Sequence, residues 1–313
     1  MKASYFCVIL FWKRGESMTG IILFDKPEGI TSFGAVARVR RLCGEKKCGH
    51  SGTLDPMATG VLTILLGGIT RFCELLPSHD KSYTASFRLG TVTDTLDITG
   101  TVLETNPVTS TEEEVIGAIK SFEGEISQLP PMYSAISVNG QRLYDLARQG
   151  IEVERQPRKV TIYSIDILSA DASAGEYEIS VSCSSGTYIR TLIDDIGRKL
   201  GCGAVLTKLR RTSANGFDVS QAVTLEELEA ASEKGEVESL LIPLEKALSE
   251  YPEVYVSEAQ AKRFSNGGEL ALERLKCPRI NGYFRVYDPE NKFLGLGEIA
   301  GGESLEVKRV YNG

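Results

Sequence analysis

The chain has 313 residues, 42% hydrophobic and 25% charged, enough to bury one large core and one small one. No apolar run approaches the roughly 20 residues of a membrane span. The seven cysteines, an odd number without a Cys-x-x-Cys pair, argue against a disulfide framework or zinc ribbon and fit a reducing cytoplasm.

Residues 1–17 combine Lys2 with a short apolar stretch and lack a small-residue cleavage site, so they read as a loose or non-native start, with Met18 opening the folded chain. Gly20–Phe24 is a buried strand ending at Asp25-Lys26-Pro27. Phe33, Val36, Val39 and Leu42 recur at helical spacing behind Thr31 and Ser32 as candidate N-caps. A strand is expected over 82–89, a capping box at Thr111-x-x-Glu114 opens a helix closed by Gly124, and clean alternation marks a strand from Tyr177 to Cys183. Ile189, Leu192, Ile193, Ile196 and Leu200 then form one helical face stopped by Gly201. This irregular mixture predicts an α+β domain over 18–250 rather than a doubly wound sheet. Beyond Tyr251-Pro252, a helix capped by Ser257 and three short strands predict a small β-rich domain over 251–313.

The formal charge of −7 is the wrong sign for a uniformly basic nucleic-acid binder, but it is unevenly placed. Residues 224–250 carry eight Glu against two Lys, whereas residues 38–50 carry three Arg and two Lys against one Glu. Further basic clusters lie at Lys208, Arg210 and Arg211, and at Arg155, Arg158 and Lys159. Patches of this kind neutralise phosphates on an otherwise acidic protein.

The sharpest chemical feature is Gly49-His-Ser-Gly-Thr-Leu-Asp-Pro-Met-Ala-Thr-Gly60, a tight shaped loop holding the lone carboxylate Asp55. It is not a P-loop, because His50 stands where the phosphate-binding Lys belongs, and it lacks the second glycine of a nucleophile elbow. Cys43, Cys48, His50 and Cys73 match no standard zinc spacing. Taken alone, Asp55 is a turn former, Tyr83 a cross-strand aromatic, and Arg190 a partner for Asp194 four residues on.

The segments GIILFDKPEGITS (20–32), GHSGTLDPMATGVL (49–62), DKSYTASFRLGTVTDTLDITG (80–100), PPMYSAISVNGQRLYDLARQG (130–150) and SSGTYIRTLIDDIGRKLGCGAVLTKLRRT (184–212) together resemble the bacterial tRNA pseudouridine-55 synthases, the pseudouridine synthase B family. The resemblance covers residues 20 to about 250 and thins beyond. It implies the pseudouridine synthase fold, with a mixed, mainly antiparallel sheet flanked by helices and loops, Asp55 as nucleophile, Tyr83 as the platform beneath the target base, and Arg190 as the partner of Asp55. It places His50, Tyr188, Leu209, Lys26 and Arg211 on the substrate, with Lys26-Pro27 a largely structural motif. It makes residues 125–152 an insertion closing over the T arm of tRNA, and the C-terminal domain an RNA-binding unit of the PUA type. It implies a cytoplasmic, monomeric enzyme needing no cofactor, metal, membrane or obligate protein partner.

Isomerising uridine exchanges no electrons or groups with a second molecule, so an ionised carboxylate suffices as nucleophile. A neighbouring arginine is expected to hold the Asp55 pKa below the usual value near 3.9. Asp94 and Asp97 are expected to organise a turn. The competing readings are a non-catalytic tRNA-binding or folding module, and a glycoside hydrolase. The latter is disfavoured because no second acid accompanies Asp55.

Overall fold

The computed structural model describes residues 18–312 except positions 135 and 139, so the expected loose start over 1–17 lies outside the described residues. Strand β1 (Gly20–Lys26) pairs antiparallel along its whole length with β3 (Thr59–Leu66). The run of Ile21, Ile22, Leu23 and Phe24 is buried on both faces, which explains its unbroken apolarity. Between them lie helix α1 (Ser32–Leu42) and β2 (Cys48–Ser51). The sheet continues from β3 through Ala204–Ala214, β4 (Lys81–Leu89), Glu176–Cys183 and Arg158–Asp171 to Gly124–Gln128. Every pairing is antiparallel except that of β3 with Ala204–Ala214, which rests on Thr59 and Gly60 alone. The domain is therefore α+β, as its patterning predicts, with the mixed, mainly antiparallel sheet that the resemblance implies.

Helix Ile189–Lys199 lays Ile189, Leu192, Ile193 and Ile196 on the centre of this sheet, against Phe87, Ile179, Val181 and Leu206. Two expectations shift. Phe33 does not join the buried face of α1: Thr31 caps the helix, the inward face is Ser32, Ala35, Val36 and Val39, and Phe33 is 78% exposed. Gly124 does not close the Glu112–Lys120 helix, which stops at Ser121; with φ at 104° it opens the next strand instead.

The C-terminal chain forms a five-stranded sheet with helix Glu258–Ser265, capped by the expected Ser257/Gln260 box. It has an apolar centre of its own around Val254, Phe264, Phe284 and Leu305. Its other face shares a cluster with the first domain: Tyr287, Phe293 and Leu296 pack with Leu65, Phe72, Leu75 and Leu248. Tyr311 closes that seam edge-on to Phe72, and the Arg71 guanidinium donates to the Val310 carbonyl at 2.6 Å.

Candidate active site

The Asp55 loop exists because β3 has two successive neighbours on one edge. Its last residues pair with β2, from Ser51↔Thr63 to Cys48↔Leu66, and its first two pair with Ala204–Ala214. Residues 52–58 fill the gap where one neighbour gives way to the other. The crossing is tight at Gly60, where φ is 104° and a Cβ would lie 2.2 Å from the Arg211 carbonyl oxygen.

A loop this irregular leaves backbone groups without ladder partners, and buried side chains supply them. Ser32 Oγ accepts from the Leu54 N–H at 2.7 Å and donates to the Leu54 carbonyl at 2.9 Å. Lys26, fully buried, donates from Nζ to the carbonyls of Pro27, Ile30 and Pro56. Arg211, also fully buried, donates from Nε to the Val61 carbonyl at 2.8 Å and from Nη2 to the Gly52 carbonyl at 3.2 Å. Burial pushes the Lys26 ammonium down to about 8, against the pull of Asp55. Both cations were expected on the substrate. In this conformation their donors go to carbonyls of the loop and of the segments that flank it, and neither lines the cavity below.

Asp55 lies at one wall of a cavity of ≈ 360 Å³ that also holds Leu54, Lys81, Tyr83, Ser134, Thr187, Tyr188, Arg190 and Leu209 among its lining. The Arg190 Nε lies 2.9 Å from Asp55 Oδ2, with the arginine side chain 5% exposed and the aspartate side chain 34% exposed. The guanidinium also donates to the carbonyls of Thr95 at 2.9 Å and Tyr133 at 2.7 Å. The local alternative for Arg190 does not form, because Asp194 takes Arg198 instead at 2.7 Å. Asp97 orders the turn beside it: Oδ1 accepts from Thr95 Oγ1, the Thr99 N–H and Thr99 Oγ1, and Oδ2 stands 3.8 Å from Arg190.

The expectation of a lowered Asp55 pKa is reversed. Burial pushes the carboxyl above its ordinary value, Arg190 pulls it down, and Asp97 adds a smaller upward push. Tyr83 sits mid-strand on β4, opposite Val181 on one side and Arg211 on the other. Burial lifts its hydroxyl to about 12, with Arg211 pulling back, so it is neutral and its ring faces the cavity wall. Tyr188 is fixed by its backbone, which exchanges two hydrogen bonds with the buried Gln128 side chain at 3.0 and 3.2 Å. His50 is on β2, outside the cavity lining, with Nδ1 buried and unpartnered; burial and then Arg211 hold its pKa down.

Asp55, Tyr83, Tyr188, Arg190 and Leu209 thus meet in one cavity, while His50, Lys26 and Arg211 stand behind it. Ser32, Lys81, Gln128, Ser134 and Thr187 were not anticipated. Lys81 was legible in principle, since it shares Tyr83's face of β4 by the two-residue period.

Residues 40–189 match the TruB family pseudouridylate synthase (N terminal domain), 190–249 the tRNA pseudouridylate synthase B C-terminal domain, and 252–311 the pseudouridine synthase II TruB C-terminal domain. The tRNA pseudouridine synthase B of Clostridium acetobutylicum is 47% identical over 285 residues, covering 90% of this chain and 96% of that protein. This chain belongs to the pseudouridine synthase B family. The Pseudomonas syringae and Escherichia coli members are 44% and 41% identical, each over more than 90% of both chains. Among solved structures, a chain of a Cbf5-Nop10-Gar1 complex superimposes with a TM-score of 0.70 at 26% identity, covering 93% of this chain and 84% of that one. Among the described residues no helix is long and apolar enough to cross a membrane.

Proposed function

We propose that this protein is the tRNA pseudouridine synthase that converts uridine 55 of the T loop to pseudouridine, with Asp55 as nucleophile. The observation that carries the reading is the convergence of Asp55, Arg190 and Tyr83, from three separate segments, on one nucleotide-sized cavity. A uridine within a folded loop must leave its stack to reach Asp55, at a cost of a few kcal/mol. Stacking on an aromatic ring returns roughly 1–3 kcal/mol of this, and Tyr83 is the platform. Leu209 supplies an apolar wall, and Tyr188 a second aromatic one.

Asp55 attacks ribose C1′ while the electron pair of the C1′–N1 bond leaves with the uracil. The ribosyl–Asp55 bond then opens with loss of the C2′ proton to a glycal-like intermediate. After the base has turned, C5 bonds to C1′, C2′ regains a proton, C5 gives one up and N1 takes one. Atoms and electrons balance without a co-reactant. Arg190 orients the carboxylate and offsets its charge in a partly dry site.

In this reading residues 125–152 close over the T arm, which the hold of the Tyr133 carbonyl on Arg190 supports. The C-terminal domain adds RNA contact, and the enzyme acts in the cytoplasm as a monomer. The test is incubation of the pure protein with unmodified tRNA and chemical labelling of pseudouridine. Modification at position 55 alone is expected. Asp55→Asn is expected to abolish it while leaving tRNA affinity within a few-fold, because phosphate contacts dominate binding. Turnover by Asp55→Asn near the normal rate would refute the assignment.

A further inference from the structure

Lys81 lies in the cavity wall two residues before Tyr83, on the same face of β4. Its Nζ donates to the His79 carbonyl at 2.7 Å. Among the described residues no carboxylate comes within ion-pair distance of it, although most cations of the domain interior have fixed partners. Arg190 has Asp55, Arg210 has Asp25, and Lys26 and Arg211 have their rings of carbonyls. The adjacent Asp80 accepts from the Tyr163 hydroxyl at 3.2 Å. The Lys81 side chain runs over Gly52, where a Cβ would lie 3.1 Å from Cε, so the ammonium stands at the lip of the Asp55 loop.

A half-buried ammonium with no carboxylate at ion-pair distance is costly unless the ligand brings a partner. Burial and the nearby Arg211 weigh against its charge and lower its pKa, with Cys183 and the adjacent Asp80 pulling back. The ligand proposed for this cavity is a nucleotide still joined to its chain, and its anionic parts are the two phosphodiesters on either side of the ribose. We propose that Lys81 is a substrate-positioning residue whose ammonium receives one of the two phosphodiesters flanking the extruded uridine. The contact fixes the ribose so that C1′ faces Asp55 while the base lies on Tyr83. Because it needs a backbone phosphate, it favours a uridine within a strand over the free nucleoside. This role rests on the synthase reading above.

The experiment pairs protein and RNA changes, using a T-arm stem–loop carrying a neutral methylphosphonate at either phosphate flanking the target. Lys81→Met is expected to lower kcat/KM on the unmodified stem–loop by about 10- to 100-fold, the size of a charge-assisted hydrogen bond. Its Tm should not fall, since a solvation-starved charge is removed. Lys81→Arg should stay within a few-fold of wild type. One of the two methylphosphonates should slow the wild-type enzyme by a similar factor and leave Lys81→Met no slower. Lys81→Met at full rate, Lys81→Arg as slow as Lys81→Met, or full multiplication of the protein and RNA effects would each overturn the proposal. Failure of the wild-type protein to modify the unmodified stem–loop would instead refute the synthase reading itself.

Discussion

Two interior arginines divide the labour around Asp55. Arg190 shares its guanidinium between a carboxylate and two carbonyls, whereas Arg211 gives its donors to carbonyls of the loop and of β3. Only the first touches the Asp55 carboxylate. The pH behaviour follows from the first pair. In the proposed mechanism attack requires ionised Asp55, and burial raises its pKa. The acid limb of kcat/KM should therefore lie above the value near 3.9 of an unperturbed aspartate, with activity lost as pH falls through it. The raised value also means that the folded form binds this proton more tightly than the unfolded chain does. The stability cost of the charge accordingly fades at lower pH. A pH–rate profile on the stem–loop checks the first point, and a limb at or below 3.9 would contradict it. From sequence, Arg190 was tied to Asp55 only by resemblance, since local spacing pointed to Asp194. The upward push on Asp55 was not legible, because desolvation depends on what packs above the loop.

At the level of elements, the loop is held by groups whose own segments gave no hint of it. Ser32 was read as a possible helix cap, but Thr31 takes that place and Ser32 turns inward to Leu54. Ser32→Ala leaves a buried N–H and carbonyl unpaired, and should cost about 1–3 kcal/mol in urea denaturation. It should also lower kcat more than it raises KM, because the nucleophile loosens while RNA contacts persist. Unchanged stability would show that the bond is dispensable. The strands and helices themselves were largely legible, since alternation and the 3.6-residue period are local. The order of strands and the two-residue parallel joint at Thr59 and Gly60 were not, since they depend on pairings across the chain. Val36, Val39 and Leu42 of the expected face do pack inward, but in the first turn Ser32 takes the inward place to bond Leu54, which leaves Phe33 outside.

For the molecule as a whole, charge and packing give separate consequences. Arg38, Arg40 and Arg41 are exposed on and beside the outer face of α1, as are Lys46 and Lys47 just after it. The second basic cluster dissolves on folding, with Arg211 buried and Arg210 bound bidentately to Asp25 at 2.7 and 3.1 Å. The first cluster is then the chief candidate for phosphates. Neutralising Arg38, Arg40 and Arg41 together should weaken tRNA binding and flatten the dependence of log K on log salt by up to about three phosphates' worth. An unchanged slope in filter binding would place the footprint elsewhere.

The C-terminal unit is not an appendage on a hinge, because Phe72, Phe293 and Tyr311 belong to one cluster that spans the seam. Parts that share an apolar interior turn together. An RNA reaching from the Asp55 cavity to that unit must therefore bring two points of contact at one set separation, as an object is fitted to locked callipers. Discrimination of that kind rejects by length and bend, and it works without reading a single base.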